Sequence, residues 1–311
     1  MCAYFHQPVL LNEVLAALRP ATAGCYADGT VGGAGHAAAI LRASSPGGRL
    51  YGCDRDGTAV AAATVALAEY SGRFELRQGS YAELAGWIPA GSCDGVLLDL
   101  GVSSPQLDDP ARGFSLKADG PLDMRFDVRS ARTAAEIVNG ADESELAGVF
   151  WRYGDERHSR RLARALVAAR GARPFRTTGQ LAEFVAARLP RGNGRVHPAT
   201  KVFQALRMAV NDEPGQLVAG LETAWRILKV GGRLAVITFH SGEDRRVKQF
   251  GRVLEKDYDV PGEVDVPELR RPRPARLRWL ERRAIQPGDA EVVANPRARS
   301  AQLRVMEKLM D

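Results

Sequence analysis

Short apolar runs alternate with helix-like stretches from Gly24 to Gly101, and this alternation restricts the fold more than any other feature of the chain. "GCYADGT", "RLYGCDRD", "RFELRQGSY" and "CDGVLLDLG" read as buried strands, and Ala-rich stretches such as "TAVAAATVALAEY" separate the early ones. Strands joined by crossover helices are covered on both faces, so each reads as a nearly continuous apolar run. The pattern predicts an open, mostly parallel, Rossmann-like α/β sheet. At 311 residues and 45% hydrophobic, the chain can bury a sizeable core, and its length suggests about two domains.

The next clear strand, "GRLAVITFH", starts only near Gly232. Ahead of it, "GQLVAGLETAWRILKVGG" reads as an amphipathic helix with Leu217, Leu221, Trp225 and Leu228 on one face. Lys229 suits its C-terminal dipole and Gly231 can cap it. "SAQLRVMEKL" reads as a closing strand. Between Asp99 and Gly232 helix signals replace strands. Thr133 and Asp142 open sequences like capping boxes, and "ERHSRRLARALVAARG" and "TTGQLAEFVAARLP" end at Gly171 and Pro190. "HPATKVFQALRMAVN" reads as one more helix, with Pro198 near its start. The expected organisation is an α/β domain in two parts, residues 1–110 and 214–311, with an all-helical insert at 111–213.

The glycines at 29, 32, 33 and 35 follow the first strand in "YADGTVGGAGH". A Gly-rich turn between strand and helix is where doubly wound sheets bind a nucleotide-like ligand, and Asp54, ending the next strand, suits ribose hydroxyls. The D-G-x-x-G-G-x-G spacing is not a clean G-x-G-x-x-G fingerprint. Asp28 heads the loop, and a carboxylate suits the cationic sulfonium and ammonium of S-adenosylmethionine better than a pyrophosphate. A nicotinamide-dependent oxidoreductase using the same loop is the alternative.

The net charge of +6 and pI of about 9.3 are compatible with an anionic partner without requiring one. Cys2, Cys25, Cys53 and Cys93 form no CxxC pair and read as reduced thiols of a cytoplasmic protein. Five scattered histidines without ligand spacing argue against a metal site. "MCAYFHQPVL" lacks the features of a signal peptide, and no apolar run is long enough to span a bilayer. The Arg-rich "ELRRPRPARLRWLERR" reads as a solvated surface segment, with RNA contact as the other reading.

"DLGVSSPQLDDPARGFS" leaves the end of the fourth predicted strand. There Asp99 can meet the cofactor, with Ser103, Ser104 and Pro105 on the loop rim. An exocyclic amine has its lone pair delocalised into the ring, so methylating it needs acceptors around its N–H groups. A Ser-Ser-Pro turn can supply hydroxyls and carbonyls, although the tripeptide alone reads as an ordinary turn.

With these motifs in view, the chain resembles the RsmH family, also called MraW, of bacterial ribosomal RNA small-subunit methyltransferases. "HQPVLLNEVL", "YADGTVGGAGH", "CDRD", "DGVLLDLGVSSPQLDDPARGFS", "GPLDMRFD", "HPATKVFQALRMAVN", "GGRLAVITFHSGEDRRVK" and "NPRARSAQLR" carry the resemblance nearly end to end. It implies a class I methyltransferase fold with a helical insert, and methyl transfer from S-adenosylmethionine to N4 of a cytidine in 16S rRNA, in the decoding region of the small ribosomal subunit. It places cofactor contacts at Ala34, Gly35, His36, Asp54, Tyr81, Asp99 and Gln106. The insert is expected to hold RNA, with Arg125, Lys201 and Arg207 as contacts. A ribosome-assembly factor that binds RNA without catalysis is a further alternative. The chain departs from the pattern at Gln106, where an aromatic usually stacks the target base, at Gly242 in place of leucine, and at Pro214. Another ring must stack the cytosine, or none does; Phe114 and Phe126 are candidates, and both can equally be core.

Overall fold

A computed structural model describes residues 8–190, 197–260 and 264–311. Cys2 and the start of "HQPVLLNEVL" lie outside the described residues. The chain divides into two compact units, one formed by residues up to Gly101 with Gly215–Asp311, the other by Val102–Pro214.

The first unit holds strands β1 (Cys25–Asp28), β2 (Arg49–Asp54), β3 (Phe74–Gln78), β4 (Cys93–Asp99) and β5 (Leu228–Thr238). A short ribbon, β6 (Tyr258–Asp259) and β7 (Arg271–Pro272), precedes β8 (Leu277–Trp279) and β9 (Gln302–Lys308). The main sheet runs β3-β2-β1-β4-β5-β9-β8, parallel except that β9 is antiparallel to both of its neighbours. Helices α1 (Leu11–Leu18), α2 (Gly35–Ala43) and α3 (Gly57–Ala66) belong to its first half, and α10 (Glu213–Ile227), α11 (Ser241–Glu255) and α12 (Asp289–Ala294) to its second. Side chains alternate across β4, so Leu97 enters one hydrophobic core while Val96 and Leu98 enter the other. That two-sided burial is why β4 reads as an unbroken apolar run.

The second unit contains α4 (Ser104–Asp108), α5 (Ala134–Gly140), α6 (Glu143–Gly154), α7 (Ser159–Arg170), α8 (Thr178–Ala186) and α9 (Thr200–Asn211). Thr133 forms the expected reciprocal capping box, whereas Asp142 caps α6 in one direction only, accepting from the Glu145 N–H. The unit starts at Val102 rather than at residue 111, because Val102 and Leu107 already pack on its helical core.

Several boundaries differ from the sequence expectation for local reasons. β5 begins at Leu228, and its register against β4 shifts between Cys93 and Gly95. Gly231, at φ +81°, belongs to this irregular start instead of capping α10. From β9, buried Lys308 donates to Trp225 O in the last turn of α10 (3.1 Å) and to Leu228 O just after it (2.9 Å). Lys229 instead pairs with Asp94 at 2.9 Å. α8 ends at Ala186, before Pro190. α9 ends where Asp212 turns left-handed (φ 45°), so Pro214 sits in the first turn of α10, where a missing N–H costs nothing.

Candidate active site

Asp28, Asp54 and Asp99 end β1, β2 and β4, which are adjacent strands in the sheet. The strands are parallel, so all three carboxylates fall on the C-terminal edge, where doubly wound sheets bind ligands. The loop after β1 crosses this edge. Gly29 donates to Leu97 O and Val31 to Cys53 O, both at 2.9 Å. A Cβ on Gly29 would lie 2.5 Å from Leu98 Cδ2 and 2.7 Å from Tyr81 Cβ, so only glycine fits there. Gly32 takes φ +48° and turns its N–H onto Asp54 Oδ2 at 3.0 Å. Asp54 Oδ1 accepts from the Asp56 N–H at 2.9 Å. The carboxylate is thus oriented by two backbone donors.

Thr30, which the sequence reading passed over, ties two of the acids together. Asp28 Oδ1 accepts from the Thr30 N–H (3.0 Å), and Thr30 Oγ1 accepts from the Asp99 N–H (2.7 Å). Its only sequence signal was a hydroxyl two residues after an acid at a strand end, the pattern of an Asx-type turn.

Burial and neighbouring charges hold two of these acids above the usual carboxylate range. Burial pushes the Asp28 carboxyl up to about 7, Thr30's backbone hydrogen bond opposes this, and the Asp54 charge adds to it. Burial, then the charges of Asp28 and Glu243, hold Asp99 well above the usual carboxylate range. Asp99 Oδ1 is buried without a hydrogen-bond partner among the described residues. A buried acceptor left unpaired is costly, and a bound cation or donor would relieve it.

The other expected cofactor residues take distinct places. Ala34, at φ 67°, caps α2, and Gly35 follows it with no room for a Cβ beside Pro8. His36 is buried at 6% exposure; its Nε2 lies 2.9 Å from Val9 O, and its Nδ1 lies 3.8 Å from Asp99 Oδ2. A carbonyl can only accept, so Nε2 carries the proton and the Nδ1 edge faces Asp99. Tyr81 opens the turn after β3, with its ring against Gly220 of α10. Gln106 belongs to the helical unit and is 5% exposed; its Oε1 accepts from Ser103 N (3.0 Å), and Ser103 Oγ accepts from Gln106 N (3.4 Å). This capping box occupies both side chains, whereas half-buried Ser104 takes no part in it.

These geometries meet a sequence relationship that covers the whole chain. The model of the MraW methylase family matches residues 3–309. The chain belongs to the MraW methylase family. Among curated relatives, ribosomal RNA small subunit methyltransferase H of Xanthomonas axonopodis is 49% identical over 98% of this chain and 87% of its own length. The protein of the same name from Magnetococcus marinus is 46% identical over 99% of both chains.

Within the helical unit, the expected RNA contacts are unequal. Arg125 is held by Asp123 at 2.8 Å and donates to Val128 O and Ser130 O. Arg207 forks onto Glu213 at 2.7 and 2.8 Å, with both side chains largely covered. Lys201 is exposed and donates to Asp155 O at 3.1 Å. Phe114 is a core residue stacked on Phe126 at 5.5 Å and 18° between planes. The two rings therefore pack on each other.

Proposed function

We propose that the chain transfers a methyl group from S-adenosylmethionine to N4 of a cytidine in 16S rRNA, acting in the cytoplasm on the small ribosomal subunit. Its family is one of methylases, and its relatives are named for methylating small-subunit ribosomal RNA. The observation that carries the cofactor assignment is the buried, unpartnered Asp99 Oδ1 beside Asp28 and Asp54. A nicotinamide dinucleotide would bring its pyrophosphate against these acids, whereas S-adenosylmethionine brings an ammonium and a sulfonium.

When bound, S-adenosylmethionine supplies an electrophilic methyl group. Asp54, fixed by Gly32 and Asp56, would accept from ribose hydroxyls. Asp99, whose backbone N–H is held by Thr30, would face the cationic end, with Asp28 on the adjacent strand beside it. On the RNA side, the Ser104 hydroxyl is the acceptor proposed for an N4–H, since Ser103 and Gln106 are committed to the helix cap. Accepting that hydrogen bond localises the amine lone pair toward the methyl group. Lys201 is proposed to meet phosphate, while Arg125 and Arg207 shape the unit that presents it.

Nucleoside mass spectrometry of small-subunit RNA incubated with the protein and labelled cofactor tests the proposal. N4-methylcytidine is the expected product. Label in another nucleoside overturns the N4 assignment, and absence of label from RNA favours the non-catalytic assembly role.

A further inference from the structure

The cleft between α6 and α7 carries side chains that the hairpin's own packing does not use. The two helices bury Leu146, Val149 and Phe150 on one side and Leu162, Ala163 and Leu166 on the other. Trp151 instead stands 56% exposed at the surface of α6. One exposed aromatic needs no partner by itself; what singles out Trp151 is the set of cations lining the same cleft. Facing it, the turn before α7 and its first residues bring Arg157, His158, Arg160 and Arg161, all exposed, to the rim of a cleft of about 850 Å³.

The charge balance of the cleft is positive. No acidic residue stands in the first turn of α7. Arg161 gives one N–H to Arg188 O (2.8 Å), which leaves its charge in place. The acid on the opposite wall, Glu143, lies 3.3 Å from Arg164. Glu156 is buried, and its Oε1 accepts from the His158 N–H at 2.8 Å. An open π-face bordered by guanidinium groups is the composition that binds single-stranded nucleic acid, with bases stacking on the ring and phosphates meeting the arginines.

We propose that the α6–α7 cleft binds single-stranded RNA, with one base stacked on Trp151 and flanking phosphates on Arg157 and Arg160. The proposal rests on the reading of the chain as an RNA methylase, and makes this cleft a substrate-holding site separate from the carboxylate cradle.

A labelled oligouridylate, titrated into the full-length protein over a range of salt, tests it by fluorescence polarisation. Trp151→Ala should weaken binding about fivefold or more, because stacking on one aromatic carries at least that factor. Arg157→Gln with Arg160→Gln should lower the log–log salt slope by about 1.4, at about 0.7 per phosphate of a single strand. Tryptophan emission should be quenched on binding in the wild type and not in Trp151→Phe. All these positions are exposed, so the variants should keep the wild-type melting temperature. Folded variants that bind the oligonucleotide with wild-type affinity and slope overturn the proposal. So does equal competition by polyglutamate without any change in tryptophan emission, which would mark a site for an acidic protein segment. Wild-type methylation of small-subunit particles is measured alongside. A wild type that binds through Trp151 yet methylates nothing supports the cleft and removes the activity instead.

Discussion

Asp54 shows how a single side chain is committed by its neighbours. The Gly32 and Asp56 N–H groups hold its two oxygens, so a ligand meets an acceptor already in place. A hydrogen bond to a charged group contributes roughly 1.5–3 kcal/mol. Asp54→Ala should therefore weaken S-adenosylmethionine binding at least about tenfold by titration calorimetry, and wild-type affinity in the folded variant would remove Asp54 from the site. Asp28 gives a second prediction, through pH. Its carboxyl is raised from an ordinary 3.8 to about 7, chiefly by burial. Between those values the folded chain keeps a proton that the unfolded chain has lost. Its contribution is thus complete below about pH 4 and declines as pH rises toward 7, by at most about 1.4 kcal/mol per unit. Asp28→Asn should remove that decline, so the cofactor-free variant should gain melting temperature relative to wild type as pH rises from 4 to 7. Parallel profiles for the two proteins would show that Asp28 ionises normally.

Asn211, the last residue of α9, shows what one element's end can hold. It is 2% exposed, accepts from the Phe126 N–H at 2.8 Å, and donates to Met124 O (2.7 Å) and Arg207 O (2.9 Å). Asn211→Ala would strand buried backbone groups of the segment around Met124, at about 1–3 kcal/mol per unsatisfied group. Chemical denaturation should show a loss of that order with an unchanged slope, and a loss under about 0.5 kcal/mol would mean that the segment repacks. The sequence carried the strand positions, the glycine loop and the helical insert, because apolar periodicity and turn chemistry are local. It did not carry Asn211's role, since a side chain that bonds the backbone of a distant segment leaves no periodic trace. The same limit explains Lys308, which serves the end of α10 from β9, and Arg207, which looked like an open cation until Glu213 stood beside it. It also explains why the Ser-Ser-Pro turn read as uniform when Ser103 is a cap and Ser104 is not.

The proposed reaction would divide the work between the α/β unit, with Asp28, Asp54 and Asp99, and the helical unit, with Lys201. Direct transfer to nitrogen needs no covalent enzyme–RNA bond, whereas methylating carbon 5 of a pyrimidine normally needs a thiolate. Cys53 is buried below the loop, and burial pushes its thiol well up, away from thiolate. Replacing the cysteines together should leave methylation within the range set by any loss of stability, and a trapped covalent RNA adduct would contradict this. RNA binding itself should be salt-dependent in a way that cofactor binding is not. Each phosphate neutralised by a lysine or arginine releases counterions and adds about 0.7 to 0.9 to the log–log slope. For the proposed cytidine target, swinging the base out of folded RNA would cost a few kcal/mol, which contacts from the helical unit would have to offset. Lys201 is exposed, and its Nζ contacts a neutral carbonyl, so its charge is available to phosphate. Lys201→Gln should lower methylation of small-subunit particles and reduce the salt slope of RNA binding by roughly one phosphate's share. Its affinity for S-adenosylmethionine should stay at the wild-type value, because none of the three acids is in its unit. A variant that loses cofactor affinity while keeping its RNA slope would reverse this division between the units.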